Sequence, residues 1–316
     1  MTTTPLPPQG IATAEGDEVG GKQIRAESRL QRRTRLASSK LSSPWASLLA
    51  IVIAVLWTIP TFGLFVTSFR PESDIRTSGW WEAFTNPAFT LQNYETALFS
   101  SQTSFATYFV NSLVIAVPAV VIPISIALLA AYAFAWIDFK GRSLLFVAMF
   151  ALQIVPIQVT LIPLLSQYVQ WGIAGSFWTV WISHSMFALP LAIFLLHNFM
   201  KDIPPSLIEA ARVDGAGHVN IFFKVLLPLL VPAIASFAIF QFLGVWNDLL
   251  VALTFAGGTP NVAPLTVRLA ALVGSRGADW HLLSAGAFIA MIVPMLVFLF
   301  LQRYFVRGLL AGSVKG

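Results

Sequence analysis

Six stretches of this 316-residue sequence, at roughly 44–69, 108–136, 144–168, 177–200, 225–255 and 282–302, run almost without Asp, Glu, Lys or Arg. A helix climbs about 1.5 Å per residue, so about 20 apolar residues cross a hydrocarbon core of about 30 Å. A soluble fold has no interior large enough for six such stretches, and 57% of all residues are hydrophobic. Inside lipid every backbone N–H and C=O must be satisfied within the protein, and no alternating strand pattern is present, so helices are the remaining solution. The expectation is an all-α polytopic membrane protein of about six transmembrane helices, some of them kinked. Only the fifth run holds a charge, Asp248.

Basic side chains set the orientation. With the N-terminus in the cytoplasm, 15 of the 19 Lys and Arg fall in cytoplasmic segments, and only Arg70, Arg76, Arg268 and Arg276 fall outside. That asymmetry follows the positive-inside rule and puts both termini on the cytoplasmic side. The net charge of +5 is then an orientation signal spread over several loops, and nucleic acid is not an expected partner. With no cysteine in the chain, disulfides, thiolate nucleophiles and Cys-based metal sites are excluded.

Residues 1–43 are polar and turn basic after Val19, which reads as a disordered cytoplasmic tail ahead of a permease domain at 44–316. Arg32 and Arg33 resemble a twin-arginine signal, but the apolar run that follows is too long for one and is expected to be a retained first span. The near-match GDEVGGK to a phosphate loop has Gln23 where a hydroxyl belongs and no strand before it. Between the runs, GWWEAF at 79–84 suits a short helix among lipid headgroups, 137–143 a tight turn at Gly141, and 256–281 an irregular segment. Pro118, Pro123, Pro156, Pro163, Pro190 and Pro294 lie in or beside the spans. Each removes a backbone donor, and the freed carbonyls are best satisfied where kinked helices surround a cavity, as in a transporter or channel.

The densest interior charge lies in EAARVDGAGHVNIFFKVLLP, Glu209 to Pro228, between two apolar runs. Pro204 and Pro205 suit a first helical turn, Leu207, Ile208 and Ala211 share one face, and Gly215 can take the left-handed conformation that ends a helix. A short cytoplasmic helix and a glycine turn therefore lead to a new helix that starts near Val219 and enters the fifth span. Such an element is either a docking helix for a partner's groove, with Glu209 fixing the register, or a polar connector. Asp248, beside Trp246 and Asn247, either lines a cavity, caps a helix or makes an interhelical contact. Asn111, Gln153, Gln158 and Gln241 either bond a substrate or join helices. His184, His197, His218 and His281 have no metal spacing; His218 reads as a solvated loop residue and His281 as an interfacial one. No positioned nucleophile or carboxylate pair is visible, so the chain is not expected to be an enzyme.

Glu209-Ala210-Ala211, then Gly215, then Val225-x-Leu227-Pro228 resembles the EAA signature of permease subunits of binding-protein-dependent ABC importers, with Val225 in place of the usual Ile. Asp214-Gly215-Ala216, TSFRPESDI, TLQNYETAL, FATYFVNSLVIA, AYAFAWIDFKGR, FLGVWNDLLVALTF and the ending RYFVRGLLAGSVKG resemble its carbohydrate-uptake branch, of the maltose and α-glucoside type, over roughly 60–316. The resemblance implies a multi-pass subunit of the bacterial cell membrane that carries a di- or oligosaccharide such as a maltose-like α-glucoside or trehalose. It implies four kinds of protein in the complex: this chain, a second homologous permease, two ATPase subunits, and an extracellular or periplasmic sugar-binding protein. ATP and Mg would be held by the ATPases, with no cofactor in this chain. The family's docking role carries to Glu209, Ala210, Ala211, Asp214 and Gly215 within a coupling loop at 202–221, and to Pro228 after it. It also carries to Gly308, Gly312 and Gly316 in a tail at 303–316. The substrate path would pass Asp248, Asn247, Gln241 and Asn111. An ion-coupled secondary transporter is the alternative, but it wants several ionisable groups at mid-depth where only Asp248 is offered.

Overall fold

The computed structural model describes residues 44–100, 104–274 and 277–313, with side chains through Gln302. The tail at 1–43 lies outside the described residues. Among the described residues all regular structure is helical. The elements are α1 (Pro44–Ser68), α2 (Glu72–Thr77), α3 (Gln92–Phe99), α4 (Phe105–Trp136), α5 (Arg142–Ala151) and α6 (Ile157–Gln170). They continue as α7 (Phe177–Lys201), α8 (Pro205–Val213), α9 (His218–Trp246), α10 (Leu250–Phe255), α11 (Leu265–Val273) and α12 (Trp280–Ser313). Short 3-10 turns occupy Trp80–Phe84 and Leu152–Ile154. The chain divides into a unit ending at Gly63, of which residues 44–63 of α1 are described, and a unit from Leu64 onward, which holds the end of α1. The buried core clusters lie in the second unit.

Five helices are long and apolar enough to cross a membrane, and α5 with α6 makes a sixth if the bent pair counts as one span. The expected third span is thus not straight: its two halves meet at 98°. Pro156 is the cause. It offers no N–H and forces the preceding residue out of the helical region, and Val155 takes φ −71°, ψ 119°. Pro118, Pro123, Pro190 and Pro294 instead remain inside continuous helices.

The helix of the fifth run begins where expected, near Val219, but departs from expectation within its first turns and at its far end. It starts at His218 and contains a π turn at Ile221–Leu226. Pro228 lacks the amide that would bond Lys224 in a regular helix, and the wider turn comes just before it. At the far end α9 stops at Trp246, so Asp248 sits in a break before α10, not within a span. The segment expected to be irregular contains α11, which begins after Pro264, where Ser112 Oγ accepts a hydrogen bond from Leu265 N at 2.8 Å.

α4 and α7 pack along their lengths through fully buried Ala127, Ala131 and Ala192. Lipid tails are as apolar as leucine, so helices in a bilayer are held by such close approach more than by hydrophobic exclusion. One core cluster gathers the second half of α4 with α7, α8 and the start of α9. Another joins the first half of α4 to α6, α7 and α10, and a third joins the start of α4 to α3, α11 and α12. At that end buried Arg70 donates to Gly79 O at 2.9 Å, and Asn93 Nδ2 donates to Ser68 O at 2.9 Å and Arg70 O at 2.8 Å. The Trp80–Phe84 turn leaves Trp81 and Phe84 exposed, in accord with the aromatic stretch.

Candidate functional site

The helix α8 is built as its sequence requires. Pro205 occupies its first position, and Gly215, at φ +82°, ends it. Gly215 N donates to Arg212 O at 3.0 Å and Ala216 N to Ala211 O at 2.9 Å. This pair of bonds is a Schellman closure, which needs the left-handed residue that glycine supplies. Ile208 is buried in the core beneath and Ala211 packs partly against it, whereas Leu207, expected on the same face, is 45% exposed. The outward face carries Glu209, Ala210, Val213 and Asp214. Ala211 is therefore turned partly toward its own core, not wholly outward with Ala210.

His218, read from the sequence as a solvated loop residue, has a specific partner. Tyr132 Oη and His218 Nδ1 lie 2.6 Å apart, and the Tyr132 ring meets Phe222 edge-on at 5.4 Å. The turn after α8 is thereby tied to the last turns of α4. Pro228 is ten residues into α9, about 15 Å along the axis from His218. Gly308 and Gly312 lie in the last turns of α12, and Gly316 lies outside the described residues.

The second constellation surrounds a cavity of about 300 Å³ among α6, α7, α9 and α10. Asp248 and Gln241 line it, together with Gln153 and His184. Asp248 Oδ2 accepts from Ala252 N at 2.8 Å and Oδ1 from Val251 N at 3.3 Å, so the carboxylate closes the first turn of α10. Its backbone carbonyl accepts from Thr266 Oγ1 at 2.6 Å. Gln241 Nε2 donates to Ala119 O at 3.3 Å. Asn247 is exposed and bonds back to Leu243 O, and buried Asn111 donates to Pro260 O and Ala263 O, which makes it a tie between α4 and the segment before α11. Neither lines the cavity. Sequence reasoning misses His184 at this site, because no spacing links it to Asp248, sixty-four residues later.

Residues 123–310 match a family model described as the binding-protein-dependent transport system inner membrane component. The chain is 58% identical over 269 residues to the osmoprotective compounds uptake permease protein GgtD of Synechocystis sp., covering 84% of this chain and 90% of that one. It is 50% identical over 260 residues to the alpha-glucoside transport system permease protein AglG of Rhizobium meliloti, covering 79% and 68%. Among solved structures, a bacterial ABC transporter involved in the import of the acidic polysaccharide alginate contains a chain of similar fold. The TM-score is 0.67 at 23% identity, over 83% of this chain and 98% of that one.

Proposed function

Because this chain belongs to the inner-membrane components of binding-protein-dependent transport systems, as the permease subunit of an ABC-type sugar importer, we propose that α8 and the Gly215 turn dock a cytoplasmic ATPase. It is a multi-pass inner-membrane protein. The observation that carries the reading is the two-sidedness of α8: Ile208 is buried in the chain's own core while Glu209 and Ala210 stand free beside it. A short helix so anchored transmits force from an outer partner to the spans. Glu209 pairs with a basic group of the ATPase, Asp214 and Gly215 shape the exit turn, and the end of α12 supplies a second contact.

The complex pairs this chain with a second permease, two ATPases that bind ATP and Mg, and a sugar-binding protein outside the membrane. This subunit has no catalytic role. Both termini face the cytoplasm, in accord with the basic residues. ATP closure drives the switch between inward and outward states because the loop binds the closed ATPase pair more tightly than the open one. Supporting an α-glucoside such as maltose or trehalose as substrate is the likeness to a protein whose name specifies alpha-glucoside transport. The path runs beside Asp248 and Gln241.

In the assembled complex, Glu209→Lys should lower ATP-driven sugar uptake by about tenfold or more, since a like charge replaces one partner of a docked pair. Membrane insertion should be unchanged. Uptake equal to wild type, or copurification of tagged protein with neither an ATPase nor a second permease, would remove the docking role.

A further inference from the structure

We propose that the cavity among α6, α7, α9 and α10 is a subsite for one ring of an uncharged glycoside, with the Asp248 carboxylate as hydroxyl acceptor and Gly244 as its open wall. The inference rests on the reading of the chain as a sugar-importer subunit. The cavity walls have the mixed character that a sugar ring requires. Phe187, Phe237 and Phe240 supply apolar surface for C–H faces, and Gln153, Gln241 and Asp248 supply polar atoms for the hydroxyl rim. No Lys or Arg lines the cavity, so an anionic sugar would meet a carboxylate without a compensating charge. A second cavity of about 240 Å³ shares Gln153, Ile157 and Phe187, which leaves space beside the first ring for another.

Asp248 is held as an acceptor should be. Its side chain is only 16% exposed, and amides of α10 grip both oxygens. An ionised carboxylate has about four lone-pair sites, so about two stay open. His184 does not take them. Its buried Nε2 lies 3.7 Å from Asp248 Oδ2, beyond hydrogen-bonding distance, and has no other partner. The imidazole backs the carboxylate without satisfying it, and hydroxyls donating to an ionised acceptor make strong bonds.

Gly244 is the second, independent sign. It sits inside α9, where glycine is unfavourable for a helix, and its backbone is not in the left-handed region. Nothing lies within 4 Å of where its Cβ would be. Neither a turn nor close helix packing within the chain therefore explains the glycine, whereas free space on a cavity wall does.

The test uses the full complex in proteoliposomes with its binding protein, and labelled maltose and trehalose as probes. Gly244→Ala adds a Cβ that meets nothing within 4 Å, and Gly244→Val and Gly244→Leu fill the wall further in steps. Uptake should fall progressively, by about tenfold or more for Leu. Complex yield and ATP hydrolysis without binding protein should stay within about twofold. Asp248→Asn keeps an oxygen to cap α10 and should lower uptake by about tenfold through loss of the charged acceptor. Wild-type uptake by the Leu variant would overturn the proposal. So would loss of the assembled complex in that variant, which would place Gly244 in a subunit contact. Wild-type uptake by Asp248→Asn would overturn the acceptor role. If the unmodified complex carries neither sugar, the α-glucoside reading fails instead, and the ligand class assigned to the cavity fails with it.

Discussion

Gly215 is a residue of the proposed docking turn whose backbone restricts substitution. Its φ of +82° closes α8, while a side chain there would meet nothing within 4 Å. Any cost of replacement is therefore conformational and not steric. A β-branched residue in the left-handed region costs about 1–2 kcal/mol, whereas asparagine visits that region readily. Gly215→Val should accordingly reduce ATP-driven uptake by about tenfold, and Gly215→Asn should keep it within about twofold. Transport assays on the two variants, at matched membrane levels, check this; equal loss in both would mean that the turn conformation is not what matters. This glycine was legible from the sequence because the chemistry is local: two prolines, nine helical residues and a residue suited to positive φ lie within a dozen positions. Asp248 was only partly legible. Helix capping is one of three readings of Asp248, and only the polar pair Asn247-Asp248 interrupts an apolar run that resumes at Leu249, so composition alone does not choose among them.

Where α9 begins, its tie to the end of α4 is a hydrogen bond in a ring cluster, in addition to the Gln241–Ala119 bond farther along the two helices. Tyr132 and His218 hold the turn after α8 against the end of α4, and Phe222 packs on the tyrosine ring. If α8 receives the ATPase's motion, this contact is one route by which that motion reaches a second span. Tyr132→Phe removes the hydroxyl and keeps the ring, at a cost of about 1 kcal/mol for one neutral hydrogen bond. The expected result is an assembled complex in which sugar transported per ATP hydrolysed falls about threefold to fivefold, while ATPase copurification is unchanged. An unchanged ratio would relegate the contact to local packing. The pairing could not be read from the sequence, because eighty-six residues separate the partners and no spacing links them. The bend between α5 and α6 was hidden for a different reason. Prolines recur through the apolar runs, and those at 118, 123 and 190 are absorbed by their helices while Pro156 breaks its own. Neighbouring elements decide whether the freed carbonyl finds a partner.

The number of spans was legible because a bilayer imposes a length on every crossing, and local composition is enough to meet or fail it. What composition does not reveal is which faces of those spans touch each other. The small residues that bring α4 against α7 look, as a sequence, like any other part of an apolar run. Ala192 is fully buried between them, and Val121, on α4, is 55% exposed. If close approach holds the helices, enlarging the first must force them apart and enlarging the second must not. Ala192→Leu adds three carbons to a filled site and should destabilise by about 1–3 kcal/mol. Val121→Leu should stay within about 0.5 kcal/mol. In detergent-solubilised complex the first variant should lower the unfolding temperature and the yield of monodisperse protein, with the second matching wild type. The opposite ranking would locate the stabilising contact on the other face of α4, where a partner subunit, not α7, would be what the helix packs against.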